Sequence, residues 1–324
     1  MRRSDALAGA GALLAAAPLR AFAQPAPLTD LTYGNLSPSA GGWPLYIADK
    51  VGFFREEGLN VTIVPFGGPQ DLIVAVGTGA VNIGEVQTDS EIEAVAHGFD
   101  MRIIAPTFTT VPYRLVVQPS ITSWSQLKGA SVSLGSKIGS TVMAYKRLLR
   151  AHHVDDSDFS IVVAGNSQLR LAAIRSGAVQ ATMLTQPSDF IAESFGMKIL
   201  ADSNEVMGGD WIFSAMVVGN AWGKANHGSV VRFLRAYRRA IQYGYAHRDE
   251  SIAILMPALN TDRVTAEKTY DLSFRTWKGF DPNLSLRPVA LTAMSNALVD
   301  FGNISTVPDP KTLVDASYAA DALH

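Results

Sequence analysis

Short apolar runs suited to strands alternate along this chain with helix-periodic stretches of ten or so residues, a pattern that predicts parallel βαβ units. Leu31-Thr32-Tyr33 opens a first strand, and a polar Gly/Ser loop runs from Asn35 to Gly42. Pro44 stands where a first helical turn tolerates proline, and Gly52 ends that helix. A turn at Phe53-Phe54 then leads to a strand through Val61, Ile63 and Phe66. The next helix follows Pro69, buries Leu72 and Val76, and ends at Gly79, after which Ala80-Val81-Asn82-Ile83 reads as a strand. Thr88-Asp89-Ser90-Glu91 has capping-box spacing and predicts a helix to Ala96.

The middle of the chain repeats the pattern. Leu115-Val116-Val117, Ala130 to Leu134, Ile161-Val162-Val163 and Ala181 to Leu184 read as strands, with a helix from Ser140 to Arg150. Beyond Ala215 the pattern is mostly helical, over Ser229 to His247, Ser251 to Leu259, Thr265 to Trp277 and Val289 to Phe301. The stretch Ile73 to Val81 is echoed by Leu171 to Val179, each a helix, a Gly C-cap and the start of a strand. Two readings fit the echo: a plan shared by two lobes, or a corner common to many helix–strand turns. No low-complexity linker separates the parts, so domain borders are expected at strand crossovers, as in a hinged pair.

Composition narrows the setting. Arg2 and Arg3 precede an apolar run from Ala6 to Pro18, and Ala21-Phe22-Ala23 is a small-x-small cleavage site. These features predict an export signal over 1–23, cleaved after about Ala23, and a periplasmic mature protein. The run is too short to span a bilayer, and the twin arginines leave the choice of export route open. Without the signal, 24 basic and 28 acidic residues remain, a mild acidity that argues against nucleic acid or anionic lipid as a partner. There is no cysteine, which excludes disulfides, thiolate metal sites and cysteine nucleophiles. Of six histidines only His152 and His153 adjoin, and neighbours on a helix face different ways. A His-x-x-x-His helix, a Walker loop, a dinucleotide fingerprint and a Gly-x-Ser-x-Gly elbow are all absent. Neither a metal nor a cofactor is expected.

The stretch from Pro44 to Phe66 resembles the opening of the substrate-binding proteins of ABC importers of the alkanesulfonate, taurine, nitrate and thiamine-pyrimidine-precursor type. Leu72 to Gly84 resembles that family's "Ala-x-x-x-Gly-x-Val-Asp-Ile-Gly" element, with Asn82 at the aspartate position. Ser123 to Gly129 matches its "Leu-Lys-Gly" step, and Ser136 to Thr141 its Gly/Ser turn before a helix. Ser176 to Ala181 followed by Gln186-Pro187 is similar to the late "Gly-x-Val-Asp-Ala … Glu-Pro" element, with glutamine at both acidic positions. The resemblance implies an α/β, two-lobed type II periplasmic-binding-protein fold, each lobe a mostly parallel sheet flanked by helices. Lobe I would comprise 26–111 plus 214–324 and lobe II 112–213, with hinge crossings near Val111-Pro112 and Trp211 to Ser214.

In such a fold helix N-termini point into the cleft, where free N–H groups and about half a positive charge can hold an anion. The candidate N-termini are Gly41-Gly42-Trp43 with the neighbouring Ser39, Thr88-Asp89 after Gln87, and Gly139-Ser140-Thr141. Each is a ligand contact or an ordinary N-cap. Gly67-Gly68 and Gln186 are further cleft candidates, as are the aromatics Tyr113 and Trp211. Arg114 could grip an anion bidentately or form a surface ion pair, and Lys137 borders the same turn as Gly139. Glu85, Asp89 and Asp210 either cap helices or accept from an amine or ring nitrogen. The expected activity is capture of a small organic anion, aromatic or sulfonated, by a monomer that delivers it to an ABC permease. A sensor of the same fold is the alternative. An enzyme of the pyrimidine-synthase branch is disfavoured, because those relatives rely on a cysteine-rich segment. Arg232, Arg235, Arg238 and Arg239 form either a solvated helix face or a dock for the permease.

Overall fold

The computed structural model describes residues 27–36, 38–207 and 211–324. The stretch 1–23, expected to be an export signal, and Asp210 lie outside the described residues. The strands are β1 (Thr29–Asn35), β2 (Leu59–Pro65), β3 (Ile83–Gln87), β4 (Met101–Phe108), β5 (Arg114–Val117), β6 (Ala130–Leu134), β7 (Phe159–Val163), β8 (Ala181–Leu184), β9 (Lys198–Asp202) and β10 (Ser214–Gly219). They form two five-stranded sheets, ordered β2-β1-β3-β10-β4 in lobe I and β7-β6-β8-β5-β9 in lobe II. In lobe I, β2, β1 and β3 are parallel and β10 runs against β3 and β4. In lobe II, β7, β6 and β8 are parallel and β5 runs against β8 and β9. The expected two-lobed α/β fold is what forms. The chain passes between the sheets twice, from β4 to β5 and from β9 to β10.

The echo between 73–81 and 171–179 reflects the shared plan. The helices Pro69–Gly77 and Ser167–Arg175 are followed by Gly79 and Gly177 at φ +78° and +77°, a left-handed conformation that costs glycine little. Beyond them the Asn82 Oδ1 accepts from Thr32 N and Oγ at 2.7 and 3.0 Å. Gln180 Oε1 does the same for Ser131 N and Oγ at 2.7 and 3.0 Å. Each amide thus ties the start of one strand to its neighbour. This is why β3 begins at Ile83 and not at Ala80: a side chain makes the first inter-strand bonds.

Two further expectations change. The mostly helical stretch beyond Ala215 begins within strand β10, which the sequence pattern did not reveal because alternation is hidden when both faces are buried. The Thr88 capping box does not form: Thr88 N is bound to Phe213 O at 3.0 Å, so Thr88 ends the sheet and opens the helix Thr88–Ala96 without capping it. Among the described residues the Thr88 hydroxyl and both Glu91 carboxylate oxygens are buried without partners. After β10 the helices pack back on lobe I, with His227–Ala246 against Trp43–Val51. No helix of the described residues is long and apolar enough to cross a membrane.

Candidate functional site

Strands β1, β2 and β3 end facing β6, β7 and β8, and the loops that follow enclose a cavity of about 310 Å³ between the lobes, the size of a small-molecule site. Lobe I contributes Asn35, the Ser39–Gly42 turn, Gly67-Gly68, Glu85 and Asp89, and lobe II contributes the Gly135–Thr141 loop, Asn166, Ser167, Arg170 and Gln186. Hydrogen bonds that join the lobes at the cavity include Ala40 N to Gln186 O at 3.2 Å, Gln168 Nε2 to Pro38 O at 3.1 Å, and Ser140 N to Asp89 Oδ2 at 2.6 Å.

The two walls differ in charge. Glu85 accepts from the Tyr33 hydroxyl at 2.6 Å and from Ser214 Oγ at 3.4 Å. Burial raises its pKa, and those hydrogen bonds offset the rise in part. Burial likewise raises Asp89, against the bonds it accepts at Ser140, and raises Glu93. Opposite them Arg170 is 4% exposed. Its Nε donates to Met183 O at 2.8 Å, its Nη2 to Ser167 Oγ at 2.9 Å and its Nη1 to Gly165 O. These partners are all neutral. Burial lowers the Arg170 pKa, yet a guanidinium stays charged in proteins. Tyr113 lies beside it, with its hydroxyl 3.4 Å from Ser140 Oγ and its pKa pushed up by burial to about 12. Phe213 meets Tyr113 edge-on at 5.2 Å and, with Phe108, gives the cavity an aromatic side. Among the described residues no group of three or more His, Cys, Asp or Glu is placed to hold a metal ion.

The sequence matches the family model described as NMT1/THI5 like over residues 41–251. The chain belongs to that family. It is 25% identical over 240 residues to the putative binding protein YtlA of Bacillus subtilis, covering 72% of each chain. It is also 25% identical over 233 residues to a 4-amino-5-hydroxymethyl-2-methylpyrimidine phosphate synthase of Aspergillus parasiticus, covering 67% of this chain and 66% of that one. A solved putative sulfonate ABC transporter protein, the periplasmic sulfonate-binding protein SsuA of Methylobacillus flagellatus, superposes with a TM-score of 0.69 at 20% identity, covering 91% of this chain and 94% of that one. That likeness shows the fold, which is the periplasmic binding protein fold.

Within this NMT1/THI5-like chain, the cavity gathers Ser39, Gly41, Gly42, Gly67, Gly68 and Gln87 from lobe I, together with Asp89. From lobe II and the crossover it gathers Tyr113, Gly139, Ser140, Thr141 and Gln186. Four expected residues lie elsewhere. Trp43 is fully buried, donates from Nε1 to Ser251 O at 2.9 Å, and packs edge-on against Tyr270 and Phe274. Its Gly-rich approach is the entry to a helix whose first residue points inward. Trp211 is buried in the crossover under the Arg147 guanidinium, 5.6 Å from its ring. Thr88 is sealed behind the wall. Arg114 pairs with the buried Asp189 at 3.3 Å and lies over Phe190, away from the cavity. The basic run is a surface seam: Arg235 and Arg239 pair with Glu57 and Glu56, and Arg238 with Pro282 O.

Sequence reasoning missed Arg170, Asn35 and Ser167. The echo held the signal for Arg170. Aligning Ile73 with Leu171 sets it opposite Leu72, a core residue, and a cation at the partner of a core leucine marks a buried charge.

Proposed function

We propose that the chain is an exported, monomeric solute receptor that closes its lobes on a small organic molecule and delivers it to the permease of an ABC importer. The division of charge across the cleft carries this reading: Arg170, buried among neutral partners, faces the Glu85 wall. A buried cation without a counter-charge is costly, and a ligand carboxylate, sulfonate or other acceptor would supply one. The acidic wall narrows the expected organic anion to a molecule that also carries an N–H donor, an amine or a ring nitrogen, for Glu85. Tyr113, Phe108 and Phe213 favour a planar body between the two ends. Ligand binding favours closure by the difference in its affinity for the closed and open states. Some relatives are named as synthases, but this chain has no cysteine to supply the segment that the synthase resemblance calls for. A receptor is the better reading.

The test is thermal unfolding of residues 24–324, refolded to strip carried-over ligand, against sulfonates, aromatic carboxylates, aminopyrimidines and amino acids. A ligand at about 100 times its Kd adds about 2.7 kcal/mol and raises Tm by several degrees. Arg170→Gln should remove that shift. If no member shifts the wild type, the receptor reading gives way to a sensor.

A further inference from the structure

One polar seat on lobe II is filled by a group from lobe I. The 12-residue helix Ser140–Ala151 opens after Gly139, at φ +94°. Helix N-termini of this length suit oxyanions, because their first N–H groups are unpaired within the helix and carry a partial positive charge. Here the first N–H, that of Ser140, already donates to Asp89 Oδ2 at 2.6 Å. Asp89 is 4% exposed and its other oxygen, Oδ1, has no hydrogen-bond partner among the described residues. The seat is tight: a Cβ at position 139 would stand 3.1 Å from Asp89 Oδ2. At the other end of the same loop, a Cβ on Gly135 would stand 3.3 Å from Arg170 Nη1, and Gly135 N is bound to Thr141 Oγ at 3.2 Å. One loop therefore touches two oxyanion-binding elements, the Ser140 N–H with a protein carboxylate on it and the Arg170 guanidinium without one.

We infer that Asp89 is a specificity-determining residue, an internal carboxylate that occupies the Ser140 N–H and excludes small free oxyanions such as nitrate or methanesulfonate from that seat. A free oxyanion there would have to displace Asp89 or lie against its charge. A ligand whose acceptor end meets Arg170, and whose donor end meets the lobe I carboxylates, has neither problem. Selection would follow from the site itself: bare oxyanions are rejected, and molecules carrying both an acceptor and a donor are admitted. This inference rests on the reading of the cleft as a solute site.

Isothermal titration with sodium nitrate and sodium methanesulfonate, on wild type and on Asp89→Ala, tests it. Wild type should bind both weakly at most, and Asp89→Ala should bind at least one of them about tenfold or more tighter, the factor expected for one charge-assisted bond. Asp89→Asn, which keeps the volume and can still accept from Ser140, should gain less. A folded Asp89→Ala that gains no affinity overturns the inference, as does a wild type that binds oxyanions equally well. Should Asp89→Ala fail to fold, the Ser140 amide resonance of the wild type decides: it should stay put during methanesulfonate titration, and a saturable shift overturns the proposal. The solute panel on the wild type is read separately, so the receptor reading can fail while the oxyanion gain of Asp89→Ala stands, or the reverse.

Discussion

At the fourth residue of the helix after its outer strand, lobe I has Leu72 and lobe II has Arg170. Leu72 is fully buried against the glycines of β1 and β3, where a Cβ on Gly34 would stand 2.3 Å from its Cδ1. Arg170 reaches along the same route in lobe II, bonding to the carbonyls at the ends of β7 and β8. A second matched pair is Asp89 and Asp189, each the second residue of the helix after the central parallel strand and both buried. Asp189 is held within its own lobe by Arg114 and Gln186, whereas Asp89 reaches across to Ser140. Where the lobes use the same chemistry, as at Asn82 and Gln180, the residues hold the fold together. Where they part, at Leu72/Arg170 and Asp89/Asp189, the differences face the cleft.

Exchanging those residues tests the contrast. Leu72→Ala should cost about 2–5 kcal/mol in denaturant unfolding, as for a fully buried leucine, with ligand affinity kept in the folded fraction. Arg170→Leu, which gives lobe II the lobe I residue, should reverse the balance: unfolding moves modestly, because removing a buried charge offsets the donors that its neutral partners lose, while solute affinity drops by about a hundredfold. A Tm loss in Arg170→Leu as large as that in Leu72→Ala would make Arg170 a structural stitch and erase the distinction. The acidic wall makes a pH prediction. Burial raises the pKa of Glu85, Asp89, Glu91 and Glu93, so the folded chain keeps protons that the unfolded chain has lost. Stability should fall as pH rises from the ordinary carboxylate range, near about pH 4, into the raised range. Unfolding at pH 5 and pH 8 should show the higher Tm at pH 5. Glu91→Gln, which neutralises the carboxylate lacking any partner, should narrow that gap. Least affected should be Lys268→Ala, which removes the exposed interlobe pair with Glu193 at a cost below about 1 kcal/mol.

The sequence pattern made much of the scaffold legible and much less of the cleft. β6 was readable as Ala130 to Leu134 because apolar residues alternate with serine between Gly129 and Gly135, and β8 as Ala181 to Leu184 because a short, mostly apolar run follows Gln180. Pro44 and Gly52 bracketed the first helix by backbone constraint alone. β4, β9 and β10 went unread, since pairing with a distant segment, not local alternation, makes them strands. The wall residues were hardest. A glycine-rich turn before Trp43 looks the same in sequence whether the ring turns into a cleft or into a core, and only the contacts with Tyr270 and Phe274, more than two hundred residues on, decide it. Arg114 and Arg170 are likewise indistinguishable as letters. One finds a carboxylate in Asp189 and the other does not.

The placement of β10 governs the order in which this molecule can take shape. Among the described residues β4 joins the lobe I sheet through β10, so a chain growing from its N-terminus cannot complete that sheet until residue 219 has been made. Lobe II, whose strands run without interruption from Arg114 to Asp202, is synthesised after four of the five strands of lobe I yet is the first whose sheet can close. The four N-terminal strands, which must wait for a fifth made more than a hundred residues later, therefore stay open for longer than the strands that follow them.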